Sequence, residues 1–171
     1  MEKLWSPWRS AYIDSFKKKK KSSKCIFCDA SKENLKSKNS LVVYKGKMSY
    51  IMLNLYPYNS GHLMIIPNRH LSDFSFLTDD EMIEITNEVK LSLKALTKSL
   101  KPQGFNVGLN LGKAAGAGIE EHIHFHVVPR WNGDTNFMPA IGRVKIISQD
   151  LLETKRKLIE AFDLLSKKKK K

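Results

Sequence analysis

His122-Ile123-His124-Phe125-His126-Val127-Val128-Pro129-Arg130 opens by alternating imidazole with apolar side chains. A period of two is that of a β-strand, whose successive side chains point to opposite faces. The pattern predicts that His122, His124 and His126 share one face while Ile123, Phe125 and Val127 enter a core. Three titratable rings in a row are a poor choice for packing alone. Two chemical readings stay open at this point. His-x-His on a strand is a natural pair of metal ligands, and one imidazole flanked by two helpers is a candidate nucleophile.

Directly upstream runs the small-residue loop Gly112-Lys113-Ala114-Ala115-Gly116-Ala117-Gly118. Glycines leave backbone N–H groups open to a phosphate, although such loops also serve as plain connections. Followed at once by three histidines, the loop is a place to hold phosphorus beside an imidazole. Neutral imidazole attacks phosphorus to give a covalent intermediate, which splits one hard displacement into two easier ones.

Further upstream, Leu41 to Tyr44, Ser49 to Leu55 and His62 to Ile66 are rich in β-branched, aromatic and aliphatic residues. Lys45-Gly46 and Pro57-Tyr58-Asn59-Ser60-Gly61 punctuate them, which predicts an antiparallel meander. Thr78-Asp79-Asp80-Glu81 is a capping box, and Met82, Ile85, Val89, Leu93, Leu96 and Leu100 follow at helical spacing. That long helix lies against the sheet and ends at Pro102 and Gly104. Phe105 to Leu111 reads as a further strand. A last helix is expected from about Asp150 to Leu165, with Leu151, Leu158, Ile159, Phe162 and Leu165 turned inward. The fold class is therefore α+β: an antiparallel β-meander sheet with one long helix and a C-terminal helix.

The chain has 171 residues, 42% hydrophobic and 27% charged, which suits one globular domain and excludes a wholly disordered chain. No stretch has the apolar length of a membrane span, and the first residues lack the build of a secretory signal, so a cytoplasmic protein is expected. Lys17–Lys21 and Lys167–Lys171 supply ten of the thirty basic residues, and without them the net charge falls from +13 to +3. Such runs are ordinarily solvated, while a sticky arm for polyanions is the functional alternative. Residues 1–24 are read as an arm carrying Trp5, Trp8, Tyr12 and Phe16 with a lysine-rich linker, 25–166 as the domain, and 167–171 as a disordered lysine tail.

Cys25-Ile26-Phe27-Cys28 is ambiguous between zinc, redox work and packing. No βαβ pattern surrounds it, which weakens a thioredoxin-like reading.

The His122–Arg130 stretch resembles the signature of the histidine triad (HIT) superfamily of nucleotide hydrolases and transferases. Asn54–His62, Ile66–His70 and Phe105–Asn110 match in the family's order. Trp131–Met138 and Leu4–Arg9 are similar to the bacterial diadenosine tetraphosphate (Ap4A) phosphorylase-like branch. The resemblance implies a HIT-like fold in which His124 is the nucleophile that attacks the α-phosphorus and becomes adenylylated. It makes His126 a hydrogen-bonding partner of the scissile phosphate and leaving group, and His62 an orienting residue. Asn54, Asn110, Gly116, Ala117 and Gly118 fall at substrate-binding positions. Many members carry a glutamine where this chain has Ala117-Gly118, so that side-chain contact is missing here. Zinc-bearing relatives place their ligands where this chain has Cys25, Cys28, His70 and His122, which implies a structural zinc.

The expected function is cleavage of Ap4A or a related nucleoside oligophosphate, with phosphorolysis to ADP and ATP favoured over hydrolysis to AMP and ATP. A nucleoside phosphoramidase uses the same histidines, and a zinc-stabilised nucleotide or nucleic-acid-binding module is the reading from another class. Partners implied are adenine nucleotides, phosphate and a second subunit in a homodimer. The lysine runs offer a contact to nucleic acid, and Lys113, Arg130 and Arg143 are candidates for the phosphate chain.

Overall fold

Strand-forming residues dominate five stretches before and after the long helix, and a computed structural model, described here for residues 25–135 and 149–168, pairs them into one sheet. In chain order the elements are α1 (Ile26–Ala30), β1 (Val42–Lys45), β2 (Ser49–Leu53), β3 (Leu63–Pro67), α2 (Asp79–Leu100), β4 (Gly104–Leu109), β5 (Phe125–Arg130) and α3 (Leu151–Lys168). The sheet order is β1-β2-β3-β5-β4 with every neighbouring pair antiparallel. The expected meander covers β1 to β3; β5 then enters between β3 and β4. The fold class is α+β, as the sequence predicts.

β3 lies inside the sheet with all five residues buried, so its alternation separates two cores rather than core from solvent. Leu63 and Ile65 join Ile51, Leu53, Ile123, Phe125 and Val127 on the face covered by α2 and α3. Met64 and Ile66 join Phe27, Ala30, Val42 and Tyr50 on the face covered by α1. The Tyr50 hydroxyl donates to the Phe27 carbonyl at 2.7 Å, which fastens α1 to the sheet.

α2 starts on the predicted capping box. The Thr78 hydroxyl accepts from the Glu81 N–H, and the Glu81 carboxylate accepts from the Thr78 N–H at 2.9 Å. Arg69 donates twice to the same carboxylate, at 2.7 Å each, and holds its pKa down at about 2. All six apolar residues of the predicted stripe contact the core. The left-handed turn that ends α2 falls on Lys101, with φ 51°, and Pro102 then bars continuation. α3 buries Leu158 and Phe162 and runs to Lys168, beyond Leu165 and two residues into the expected tail. Lysine is a good helix former, and its charge suits a helix C-terminus. The arm 1–24 and Lys169–Lys171 lie outside the described residues.

Candidate active site and metal centre

His126 lies in the middle of the sheet, opposite Met64 on β3 and Gly108 on β4. A Cβ on Gly108 would meet nothing within 4 Å, so the sheet face beside His126 is open on that side. The triad does not all lie on a strand, as the sequence suggested; β5 begins only at Phe125. The reason is Pro67, where β3 ends. The carbonyl of Pro67 accepts from a side chain, His122 Nε2 at 2.9 Å, and the Ile123 N–H turns to Leu71 O at 2.9 Å. The alternation survives nonetheless, with Ile123, Phe125 and Val127 in the helix-side core.

Hydrogen bonds settle which nitrogen of each ring carries the proton. His124 Nδ1 lies 3.0 Å from the carbonyl of His122, so Nδ1 holds the hydrogen and Nε2 keeps its lone pair. His62 Nδ1 accepts from the Tyr58 N–H at 3.0 Å; its Nε2–H therefore donates to His126 Nδ1 at 2.9 Å. His126 consequently carries its hydrogen on Nε2, an atom that is buried and has no partner among the described residues. A lone pair on His124 and an unused donor on His126 thus sit on neighbouring rings, 4.9 Å between centroids. Burial, then the charge of His124, depresses the His126 pKa to about 4. Burial likewise lowers that of His124, so both rings are neutral near pH 7.

The profile of the HIT domain matches residues 36–133. The chain belongs to the HIT family.

Among its HIT relatives, the AP-4-A phosphorylase of Mycobacterium tuberculosis is 42% identical over 161 residues, covering 92% of this chain and 83% of that protein. The adenosine 5′-monophosphoramidase of Schizosaccharomyces pombe is 30% identical over 63% of this chain and 75% of its own length. A crystal structure of a zinc-bound histidine triad protein from Mycobacterium smegmatis superimposes with a TM-score of 0.69 at 28% identity, over 86% of this chain and 99% of that one. The chain is therefore similar throughout to nucleotide-processing enzymes of the family.

The second cluster of this HIT chain forms where α1 meets the triad. His122 Nδ1, left with its lone pair, faces Cys25 Sγ at 3.3 Å and Cys28 Sγ at 3.6 Å. His70 Nδ1 is 3.5 Å from Cys28 Sγ, and the four ligand atoms all lie within 4.8 Å of one another. Zinc bonds of roughly 2.0–2.3 Å in a tetrahedron put ligand atoms about 3.3–3.8 Å apart. The three distances of 3.3–3.6 Å fall in that range, and two thiols with two imidazoles are a donor set that suits such a metal ion. Phe27 lies between the two centres, its ring 4.9 Å from that of His124 and 5.6 Å from that of His122.

The other sequence candidates divide. Asn54 stands beside His62, Nδ2 to Nδ1 at 3.3 Å, and Asn110 approaches Gly116 across the loop between β4 and β5. In that loop Gly112 and Gly116 take positive φ angles, and the N–H groups of Gly116 and Ala117 turn inward to Lys113 O and Gly112 O. Of the three loop candidates for phosphate, only Gly118 has an N–H without such a bond among the described residues. Arg130 does not reach toward a phosphate chain: its guanidinium is held by Asp134 at 2.7 and 2.8 Å and by Asn106 at 2.8 Å. Lys113 pairs with Glu120 at 3.4 Å, and Arg143 lies outside the described residues.

Two contributors escaped the sequence reading. Tyr58, half exposed, lays its ring 4.7 Å from that of His62 and 5.7 Å from that of His126. Asn59 donates to Pro129 O at 3.0 Å and to Asp134 Oδ2 at 2.7 Å, which clamps the His62 loop to the end of β5. Both residues read as ordinary turn formers, and it is contacts 70 and 75 positions away that give Asn59 its role.

Proposed function

We propose that this enzyme cleaves Ap4A or a related nucleoside oligophosphate through an adenylyl-His124 intermediate, with inorganic phosphate as the favoured second nucleophile. The observation that carries the reading is the lone pair on His124 Nε2 next to the unpartnered Nε2–H of His126. His124 attacks the α-phosphorus, forming the N–P bond as the bond to the bridging oxygen breaks. His126 donates its Nε2–H toward that oxygen, and His62 holds His126 in the tautomer the donation needs. The second nucleophile then breaks the N–P bond. Phosphate gives ADP beside the ATP already released; water gives AMP.

Asn54, Asn110 and the Gly116–Gly118 loop border the ribose and phosphates in this reading, the loop opening as phosphate enters. Zinc held by Cys25, Cys28, His70 and His122 is structural, since four protein ligands leave no open position. The 42% identity to an AP-4-A phosphorylase favours phosphorolysis. The phosphoramidase relative keeps one alternative in view, with an amine in place of the bridging oxygen. β4 pairs only with β5 among the described residues, and Val107 on it is half exposed. A second subunit adding to that edge would form the homodimer. No helix among the described residues is long and apolar enough to cross a membrane. Neither cysteine is in a disulfide, in keeping with a cytoplasmic setting.

Incubating Ap4A with and without millimolar phosphate, then separating nucleotides by ion exchange, tests the assignment. Phosphate-dependent ADP plus ATP is expected. AMP plus ATP in both buffers would make the protein a hydrolase, and no turnover would move the substrate class to phosphoramidates. The Asn59 clamp yields a second expectation. Asp134→Ala should lower kcat by about 10–100-fold with KM little changed, because the loop that sets the His62 tautomer loses its anchor. Steady-state kinetics with the same substrate reads this out.

A further inference from the structure

Away from the triad, a groove of about 470 Å³ runs between the β1–β2 turn and the first half of α2. Asp80, Glu84 and Glu88 line it, each one helical turn after the last, and they pass from exposed through half-buried to buried. Lys47, exposed, is the one cation on its walls among the described residues, and it pairs with none of the three acids. Glu84 Oε1 accepts from the N–H groups of Met48 and Ser49 and from the Ser49 hydroxyl, at 2.6, 2.9 and 3.1 Å. Its Oε2 has no hydrogen bond among the described residues. Glu88 is 4% exposed; Oε2 contacts the Ser49 hydroxyl at 2.8 Å, and Oε1 has no partner among the described residues. The Oε1 atoms of both glutamates face Gly46, where a Cβ would collide with each. Burial, with the charge of Glu84, pushes the Glu88 pKa up to about 8. A buried carboxyl without a counter-charge is costly, and a cation beside it removes that cost.

The layout of the acids selects the kind of cation. Successive carboxylates stand about 6 Å apart along the axis of α2. Among the described residues, only the cysteine–histidine cluster brings three or more ligand atoms close enough for one metal ion, so the acids form a row and not a cage. A row of separated carboxylates is matched by separated ammonium groups on one chain. Amines joined by three or four methylenes have that spacing, and Met48, Ile83 and Leu91 on the groove walls suit the methylenes between them. The chain as a whole repels a polycation, with a net charge of +13, so binding here would report the local row.

We propose that this groove binds a linear polyamine, whose ammonium groups lie against Asp80, Glu84 and Glu88 in turn. The innermost ammonium meets the free Oε1 of Glu88 and ties the β1–β2 turn to α2. The site is separate from the triad and fills without a nucleotide.

Calorimetric titration of the full chain with spermidine, without nucleotide, at pH 7 and low salt, tests this. One spermidine per chain is expected, with Tm raised by about 3–6 °C at saturation. Asp80→Asn should weaken binding by about 2–5-fold, and Glu84→Gln by about 10-fold or more. Asp80 is exposed and its carboxylate bonds to nothing among the described residues, so that variant keeps the fold. Carboxyl NMR gives a second readout: Glu84 and Glu88 should shift on titration while Glu153 and Glu160 on α3 do not. Absence of binding, unchanged affinity in both variants, or shifts spread over α3 would overturn the proposal. An equal Tm gain from magnesium chloride at the same concentration of charge would overturn it too. Tighter binding of a lysine-rich peptide than of spermidine would replace it with a protein partner.

Discussion

His124→Ala should abolish turnover of Ap4A, by about four orders of magnitude or more, while the protein keeps its fold. The size of the loss follows from the role. His124 Nε2 carries a lone pair beside the unpartnered His126 donor, and in the proposed reading neither half of the double displacement can begin without it. The fold survives because, among the described residues, the side chain's hydrogen bond goes to the neighbouring carbonyl of His122. Its ring rests on Phe27, which stays anchored by the Tyr50 bond. Circular dichroism and Tm measured beside the kinetics separate the two effects. His62→Ala should cost less, about 10–100-fold, since it removes an orienting partner and leaves the nucleophile in place. Losses of equal size at His62 and His124 would show that the attacking residue has been misassigned.

Stripping the metal should have the largest effect on stability. Cys28→Ser, or dialysis against a strong chelator, is expected to release about one zinc per chain and to lower Tm by about 10 °C or more. Cys25 sits at the start of α1 and Cys28 within it, while His70 follows β3 and His122 precedes β5, so the ion would join three stretches of chain that few other bonds connect. Elemental analysis before and after dialysis, with Tm on the same samples, measures this. A purified protein without metal and with unchanged Tm in Cys28→Ser would dismiss the zinc centre.

Periodicity made most of this fold legible. The apolar stripe from Met82 to Leu100 and the Thr78 box announced α2, and the β-branched runs announced β1 to β3, because burial and capping act on neighbours in sequence. The order of strands was harder to read: β5 enters between β3 and β4 through contacts separated by some sixty residues. At the site, the histidine alternation was plain, whereas the proton positions were not. They depend on the Tyr58 N–H, the Pro67 carbonyl and the His122 carbonyl, backbone groups that every residue type carries alike. Arg130 was misleading for a related reason. A guanidinium after a run of histidines looks available until Asp134, folded back from the next turn, is seen to hold it.

His122 offers hydrogen-bonding groups in three directions, and each has its own addressee: Nε2 to Pro67, Nδ1 to the cysteine pair, the carbonyl to His124. No other side chain reproduces the first two together. Cysteine could stand in for the nitrogen that faces the cysteine pair but not for the ring donor, and asparagine is too short to span both. In a saturation screen for function, position 122 should therefore tolerate as little as position 124, though both its ring nitrogens are turned to structural partners. Selection at that codon would reflect two neighbouring structures that share one residue and cannot be altered independently.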